Sequence, residues 1–80
     1  MSEKILFIDD EKDFLEVMSE RMTARNMKVS TAASAKEGLA IAAEGSFDAV
    51  ILDLAMPEMN GIEVLKILKE KNPDLEVILL

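Results

Sequence analysis

The feature that most constrains the fold is the segment Ala49–Pro57, which has the sequence AVILDLAMP. Four consecutive apolar residues, two of them β-branched, favour a strand buried on both faces, as in a parallel sheet, over a half-exposed strand, which would alternate. Proline has no amide hydrogen to donate to a sheet, so Pro57 prevents the strand from continuing. The pattern predicts a central strand over Phe47–Asp53 that carries the Asp53 carboxylate at its carboxyl end.

A second apolar segment, Ile5–Ile8, is built in the same way and ends in three acidic residues, Asp9, Asp10 and Glu11. Because parallel strands end at the same edge of a sheet, these acids and Asp53 are expected to bring four carboxylates together. Crowded carboxylates repel one another, and a divalent cation would relieve that repulsion. A simpler role stays open here, since acidic residues also stabilise the positive amino end of a following helix.

The rest of the chain alternates between helix and strand patterns. Apolar residues at helical spacing predict three amphipathic helices, and short apolar or alternating segments predict two further strands. The helices are expected over residues 12–25, 34–44 and 60–72, and the strands over 27–31 and 75–80. Ser34 and Glu37 have the spacing of a capping box, and Asn60 is the expected cap of the third helix. In that helix we expect Ile62, Leu65 and Leu68 to face inward.

Strands that alternate with helices imply parallel βαβ units with right-handed crossovers. The simplest arrangement is one α/β domain over residues 1–80, with a flavodoxin-like, doubly wound parallel sheet in strand order 2-1-3-4. In such a sheet the chain reverses direction between strands 1 and 3, and ligands bind beyond the carboxyl ends of these strands. This arrangement places Asp9, Asp10 and Asp53 in the ligand-binding crevice.

The composition narrows the possible partners and ligands. Nine basic and sixteen acidic residues give a net charge of −7, which disfavours direct binding to nucleic acid or to an anionic membrane. The chain has no cysteine and no histidine, so a metal would need oxygen ligands, and such sites favour magnesium, calcium or manganese. No leader-like or membrane-spanning segment is evident, and we expect a cytoplasmic protein.

The motifs occur in a specific order along the chain. Ile8–Glu11 follows the first strand, Leu52 and Asp53 end the third, and Met56, Pro57 and Gly61 come next. In these motifs, and over its whole length, the chain resembles the receiver domain of two-component response regulators.

The resemblance implies a function in phosphorelay signalling. Asp53 would accept a phosphoryl group as an acyl phosphate, so the domain would catalyse its own phosphorylation without being a conventional enzyme. Asp10 and Asp53 would bind Mg2+ directly, the backbone carbonyl of Ala55 would be a third ligand, and Asp9 would act mainly through water.

The resemblance also implies a partner. The phosphoryl donor would be a phosphohistidine on a sensor histidine kinase or a histidine phosphotransfer protein, and the docking surface would lie largely on the first helix. Asp13, Phe14 and Val17 are the candidate positions, although ordinary packing would account equally well for each residue alone.

Complete receivers are longer than this chain, which is expected to correspond to the N-terminal two-thirds of the domain. A Ser or Thr after the fourth strand and a Lys after the fifth strand contact the phosphoryl group in the family, and the first of these would follow Leu80. Within the 80 residues, strand 4 is expected to be an apolar edge beside a partly uncovered sheet face. Such edges associate readily, so we expect a homo-oligomer through strand 4 or through that face.

Two other functions are alternatives to phosphotransfer. A receiver-like structural or interaction module would keep the scaffold without accepting a phosphoryl group. A phosphatase of the haloacid dehalogenase type would need a second acid two residues after its nucleophile, where this chain has Ala55. The sequence therefore disfavours the phosphatase.

Overall fold

The computed structural model describes residues 3–57 and 60–80. Its helices and strands alternate along the chain, as the sequence predicts. The elements are β1 (Lys4–Ile8), α1 (Lys12–Thr23), β2 (Lys28–Ala32), α2 (Ala35–Glu44), β3 (Ala49–Leu52), α3 (Gly61–Lys71) and β4 (Glu76–Leu79). None of the helices in the described ranges has the length and apolar character needed to cross a membrane.

The four strands form one parallel sheet in the order β2-β1-β3-β4. The predicted α/β, flavodoxin-like topology is therefore confirmed. The register pairs Ile8 of β1 with Leu52 of β3, so these two central strands end side by side. The residues that follow them must consequently share one edge of the sheet.

One face of the sheet is covered by α2 and α3. Because side chains alternate along a strand, every second residue of β1 and β3 points into this layer. Its buried apolar side chains are Leu6, Ile8, Ala32, Ala35, Val50, Leu52, Met56, Val64, Leu68 and Leu75. This layer is the larger part of the core.

The expected inward face of α3 is only partly correct. Leu68 is buried, Leu65 is half-buried, and Ile62 is 47% exposed, whereas Val64 is fully buried. The reason lies at Gly61, where an added β-carbon would lie 2.5 Å from Leu54 Cδ2. This close approach turns Gly61 toward the protein, and the helical repeat then places Val64 and Leu68 inward and Ile62 outward.

The helix α1 packs on the other face of the sheet, mainly over β2, and covers only part of that face. Ile5 and Phe7 of β1 point to this side, and the ring of Phe7 meets the ring of Phe14 edge-on, with centroids 5.8 Å apart. In α1 only Leu15 is fully buried, and Met18 is half-buried. The amphipathic helix predicted on this face is present, although its apolar stripe is only partly covered.

The ends of the helices follow their local sequences. Ser34 Oγ accepts a hydrogen bond from the Glu37 amide at 3.1 Å, and Asn60 Oδ1 accepts one from the Ile62 amide at 2.9 Å. Asn26, with φ of 66°, adopts the left-handed conformation that ends helices and that asparagine tolerates well. The predicted Asn60 cap of α3 is therefore present, and at α2 the Ser34 half of the predicted capping box is present. The helix α1 stops at Thr23, slightly before the expected residue 25.

Candidate functional site

Three aspartates meet at the carboxyl edge of the two central strands. One carboxylate oxygen from each of Asp9, Asp10 and Asp53 lies within 4.8 Å of the other two. The register of β1 and β3 explains the convergence, since the Asp53 amide donates to the Ile8 carbonyl at 3.0 Å and so continues the sheet by one residue. The sequence predicts this convergence, because Asp9 and Asp10 follow β1 and Asp53 follows β3 at the same edge of the sheet.

Asp9 is the innermost of the three, with 5% of its surface exposed. Its Oδ1 accepts a hydrogen bond from the Glu11 amide at 2.9 Å, and its own amide donates to the Ala32 carbonyl at 3.1 Å. Burial raises the pKa of Asp9, the charges of Asp53 and Asp10 and a hydrogen bond with Asp53 raise it further, and the Glu11 amide opposes the shift. Burial and the neighbouring carboxylates therefore disfavour the ionised form of Asp9, and a bound cation would stabilise that form.

Asp53 is half-buried and Asp10 is exposed, so the cluster opens from the sheet toward solvent. Asp53 Oδ1 accepts a hydrogen bond from the Ala55 amide at 2.9 Å. This bond ties the Asp53 carboxylate to the loop that follows β3 and places Ala55 directly beside the cluster. A molecule approaching from solvent would reach Asp10 and Asp53 before Asp9.

The expectation of four converging carboxylates is wrong for Glu11. In the described part of the chain the cluster contains only the three aspartates. Glu11 is instead the residue at which α1 begins, and its carbonyl accepts from the Leu15 amide at 3.0 Å. The backbone turns into the helix at this residue, and the Glu11 carboxylate does not join the three aspartates.

The loop after β3 is anchored on both sides of Ala55. Met56 is buried in the core beside α3, while Leu54 lies against Gly61 at the start of that helix. Pro57 is exposed, and the two residues that follow it lie outside the described ranges. The buried Met56 side chain therefore limits how far Ala55 can move from Asp53.

Gly38 is a supporting residue that the sequence analysis did not select. A β-carbon at this position in α2 would lie 2.5 Å from Ile8 Cδ1, so only glycine lets the helix approach the end of β1 this closely. Ile8 directly precedes Asp9, and its position therefore affects the cluster. The available signal was a glycine inside a helical pattern, which often indicates close packing.

This donor set suits a hard divalent cation. All three side chains are carboxylates, and Mg2+ and Ca2+ prefer oxygen ligands of this kind. Two of the three are accessible, which leaves room for water or phosphate oxygens in the remaining positions around a Mg2+ ion. The residues therefore fit a magnesium ion on chemical grounds.

The family model described as the response regulator receiver domain matches residues 5–80. The chain belongs to this family. The receiver fold accounts for the parallel sheet and for its strand order.

Relatives of this receiver domain are known from several organisms. The photosynthetic apparatus regulatory protein RegA of Cereibacter sphaeroides is 33% identical over 76 residues, which are 95% of this chain and 41% of RegA. A CheY-like receiver domain protein of Methanospirillum hungatei superposes with a TM-score of 0.94 at 28% identity, over 99% of this chain and 63% of that one. The chain thus spans less than half of RegA and somewhat less than two thirds of the CheY-like protein.

The response regulator TrrA of Thermotoga maritima has been solved in two relevant states. As a complex with Mg2+ and BeF it superposes with a TM-score of 0.90 at 34% identity, over 99% of this chain and 68% of TrrA. TrrA has also been solved in complex with the histidine kinase ThkA, with a TM-score of 0.89 and 67% of that chain covered. The bound Mg2+ and BeF and the bound kinase were observed with TrrA.

Proposed function

We propose that this receiver domain accepts a phosphoryl group on Asp53 from the phosphohistidine of a sensor histidine kinase or of a histidine phosphotransfer protein. Asp10, Asp53 and the Ala55 carbonyl would bind Mg2+, and Asp9 would act mainly through a water molecule. The observation that carries the proposal is the convergence of three carboxylates within 4.8 Å around a half-buried, accessible Asp53. The Mg2+ and BeF complex of TrrA, a relative with the same fold, supports it.

The hydrogen bond between the Ala55 amide and Asp53 supports an assignment of the reacting oxygen. Oδ1 accepts from the Ala55 amide, so we assign the attack to Oδ2. Oδ2 forms a bond to phosphorus while the phosphorus–nitrogen bond to the donor imidazole breaks, and the imidazole nitrogen keeps that electron pair and takes up a proton. The product is an acyl phosphate on Asp53, in the covalent pattern known for carboxylate nucleophiles.

The residues around Asp53 position the reacting groups. Phosphoryl transfer depends mainly on in-line placement and on neutralising charge, and a bound Mg2+ would supply that neutralisation. The Ala55 amide holds the Asp53 carboxylate in a fixed orientation, and the buried Met56 fixes the loop that carries Ala55. Asp9, held by the Glu11 amide, adds negative charge that favours a cation at this edge.

The partner would dock beside the site on α1. This helix starts at Lys12, directly after the acidic segment, and Phe14 and Val17 are 41% and 47% exposed. Aromatic residues are enriched at protein interfaces, so an accessible Phe14 suits a docking surface. The complex of TrrA with the kinase ThkA supports a histidine kinase as the partner. The expected cytoplasmic location stays a prediction.

Mass spectrometry after treatment with acetyl phosphate tests the proposal. The intact chain should gain the mass of one phosphoryl group in the presence of Mg2+ and should lose this gain on addition of EDTA. Asp53→Asn should abolish the gain, whereas Asp74→Asn, at the exposed start of the opposite sheet edge, should not. A folded chain that stays unmodified would instead support the interaction module without phosphotransfer.

A further inference from the structure

One contact in the core joins α2 to the end of β1, directly beside the aspartates. A β-carbon added at Gly38 would lie 2.5 Å from Ile8 Cδ1, 2.7 Å from Ile8 Cγ1 and 3.3 Å from Ile8 Cγ2. All three atoms belong to one side chain, so turning the terminal methyl group away would leave the contact with Cγ1. Ile8 is β-branched, which restricts rotation about its first side-chain bond, and it is fully buried. The Ile8 side chain therefore has little freedom to yield.

Space, and not backbone conformation, requires the glycine at this position. Gly38 is a buried residue of α2, and none of the glycines in the described ranges has a positive φ. Inside a helix glycine is less favourable than alanine, because it loses more conformational freedom on folding. The close approach of α2 to β1 accounts for a glycine where alanine would otherwise be the more stable choice.

Ile8 connects this contact to two of the three aspartates. It precedes Asp9 in the chain, and its carbonyl accepts the hydrogen bond from the Asp53 amide at 3.0 Å. The Asp9 amide donates in turn to the carbonyl of Ala32, which is the register partner of Ile8 in β2. A shift of Ile8 would therefore move the backbone from which both carboxylates extend. Such shifts matter, because metal affinity depends on the residues that hold the ligands in place.

We propose that Gly38 is a positioning residue for the Mg2+ site. The space left by its missing side chain determines the position of Ile8, and Ile8 determines the positions of Asp9 and Asp53. The identity of the ion rests on the proposed function, whereas the placement of the aspartates can be measured without metal. A larger residue at position 38 weakens Mg2+ binding, and a smaller residue at position 8 reduces that loss.

Amide NMR of the metal-free chain tests the placement of the aspartates. Gly38→Ala should shift the amide proton signals of Asp9 and Asp53, because these amides form the hydrogen bonds described above. Gly45→Ala is the matched control, since its β-carbon would lie 2.8 Å from Phe47 Cε2, about 10 Å along α2 from Gly38. It adds the same methyl group at the other end of the helix and should leave both signals in place.

Isothermal titration calorimetry with Mg2+ tests the effect on the site, at a temperature at which each variant is folded. Gly38→Ala should weaken binding about tenfold, the lower end of the range for residues that hold metal ligands in place. In an Ile8→Val background the same substitution should weaken binding less, because valine lacks the Cδ1 atom that lies closest to position 38. Some loss should remain, since the contact with Cγ1 persists. If Gly38→Ala alone does not fold, this remaining loss between Ile8→Val and the double variant decides the question.

A merely structural role would lower the melting temperature of Gly38→Ala and leave the two amide signals and the Mg2+ affinity unchanged, which would overturn the proposal. Equal effects of Gly45→Ala would overturn it too, as would a loss of affinity that is the same with isoleucine and with valine at position 8. A wild-type chain that binds no Mg2+ would instead contradict the proposed function. The amide signals would then still decide whether Gly38 positions the aspartates.

Discussion

The neighbouring strands β3 and β4 have the sequences AVIL and EVIL, and they pair in parallel with Val, Ile and Leu in register. Their surroundings differ. Leu52 of β3 is fully buried, while its register partner Leu79 is 38% exposed. β3 has a strand on each side, whereas β4 has one neighbour among the described residues. Position in the sheet, more than strand sequence, therefore determines burial, and the strand that carries Asp53 occupies the protected position.

The largest expected effect comes from truncating this matched pair. Leu52→Ala should lower the free energy of unfolding by about 2–5 kcal/mol, because it leaves a cavity in the core. Leu79→Ala should cost about 1 kcal/mol or less, since solvent already reaches that side chain. Urea denaturation measures both.

A chain of this size has little stability to lose, so Leu52→Ala risks unfolding altogether. Val50→Ala and Val77→Ala form a milder pair, because they remove less and are also in register. Equal losses within each pair would show that β4 is as well covered as β3, contrary to the comparison.

The fold could be predicted because its main signals are local. Continuous apolar segments, helical spacing and caps identify the elements, and the alternation of strand and helix leaves few possible topologies. The orientation of α3 could not be derived in the same way, since it depends on contact between Gly61 and Leu54, which belong to different segments.

The site could be predicted in part for the same reason. Asp9 and Asp53 follow buried strands directly, Asp10 comes one residue later, and parallel pairing then brings the three together. The place of Glu11 depends on the residue at which the backbone turns into α1, and such boundaries are the least certain part of a sequence-based prediction. The role of Gly38 depends on the distance between a helix and a strand, which no local pattern specifies.

The next largest expected effect is on Mg2+ binding, because the proposed ligands Asp10 and Asp53 follow the two protected strands β1 and β3. Asp10→Ala and Asp53→Ala should each weaken Mg2+ binding at least tenfold, or about 1.4 kcal/mol, since each removes a proposed ligand. Isothermal titration calorimetry measures this, and Asp74→Ala, on the opposite edge, is the control. Unchanged affinity in both variants would remove the basis of the proposed magnesium site.

The exposed side of β4 gives a smaller expected effect. We expect the 80-residue chain to self-associate through β4 or the sheet face beside it, where Ile78 and Leu80 are accessible. Ile78→Lys should raise the dimer dissociation constant several-fold, as followed by light scattering over a concentration series. Lys66→Glu, on an exposed part of α3, serves as a control. A wild-type chain that stays monomeric at high concentration contradicts the prediction.

The smallest expected effect comes from Asp9, and it depends on pH. Burial and the neighbouring aspartates raise the pKa of Asp9 in the folded protein above its ordinary value of 3.8. The folded state then binds the proton more tightly than the unfolded state, so this contribution to stability is present below pH 3.8 and is lost as the pH rises through the raised pKa.

Asp9→Asn keeps an oxygen for the Glu11 amide and removes the charge. Without metal it should therefore be more stable than the wild type at pH 7, and the difference should vanish toward pH 3.8. Thermal unfolding across this pH range measures the difference, with Asp74→Asn as the exposed control. Added Mg2+ should narrow it at pH 7 by stabilising the wild type. A variant that is less stable at pH 7 without metal would show that Asp9 stabilises the fold in its ionised form.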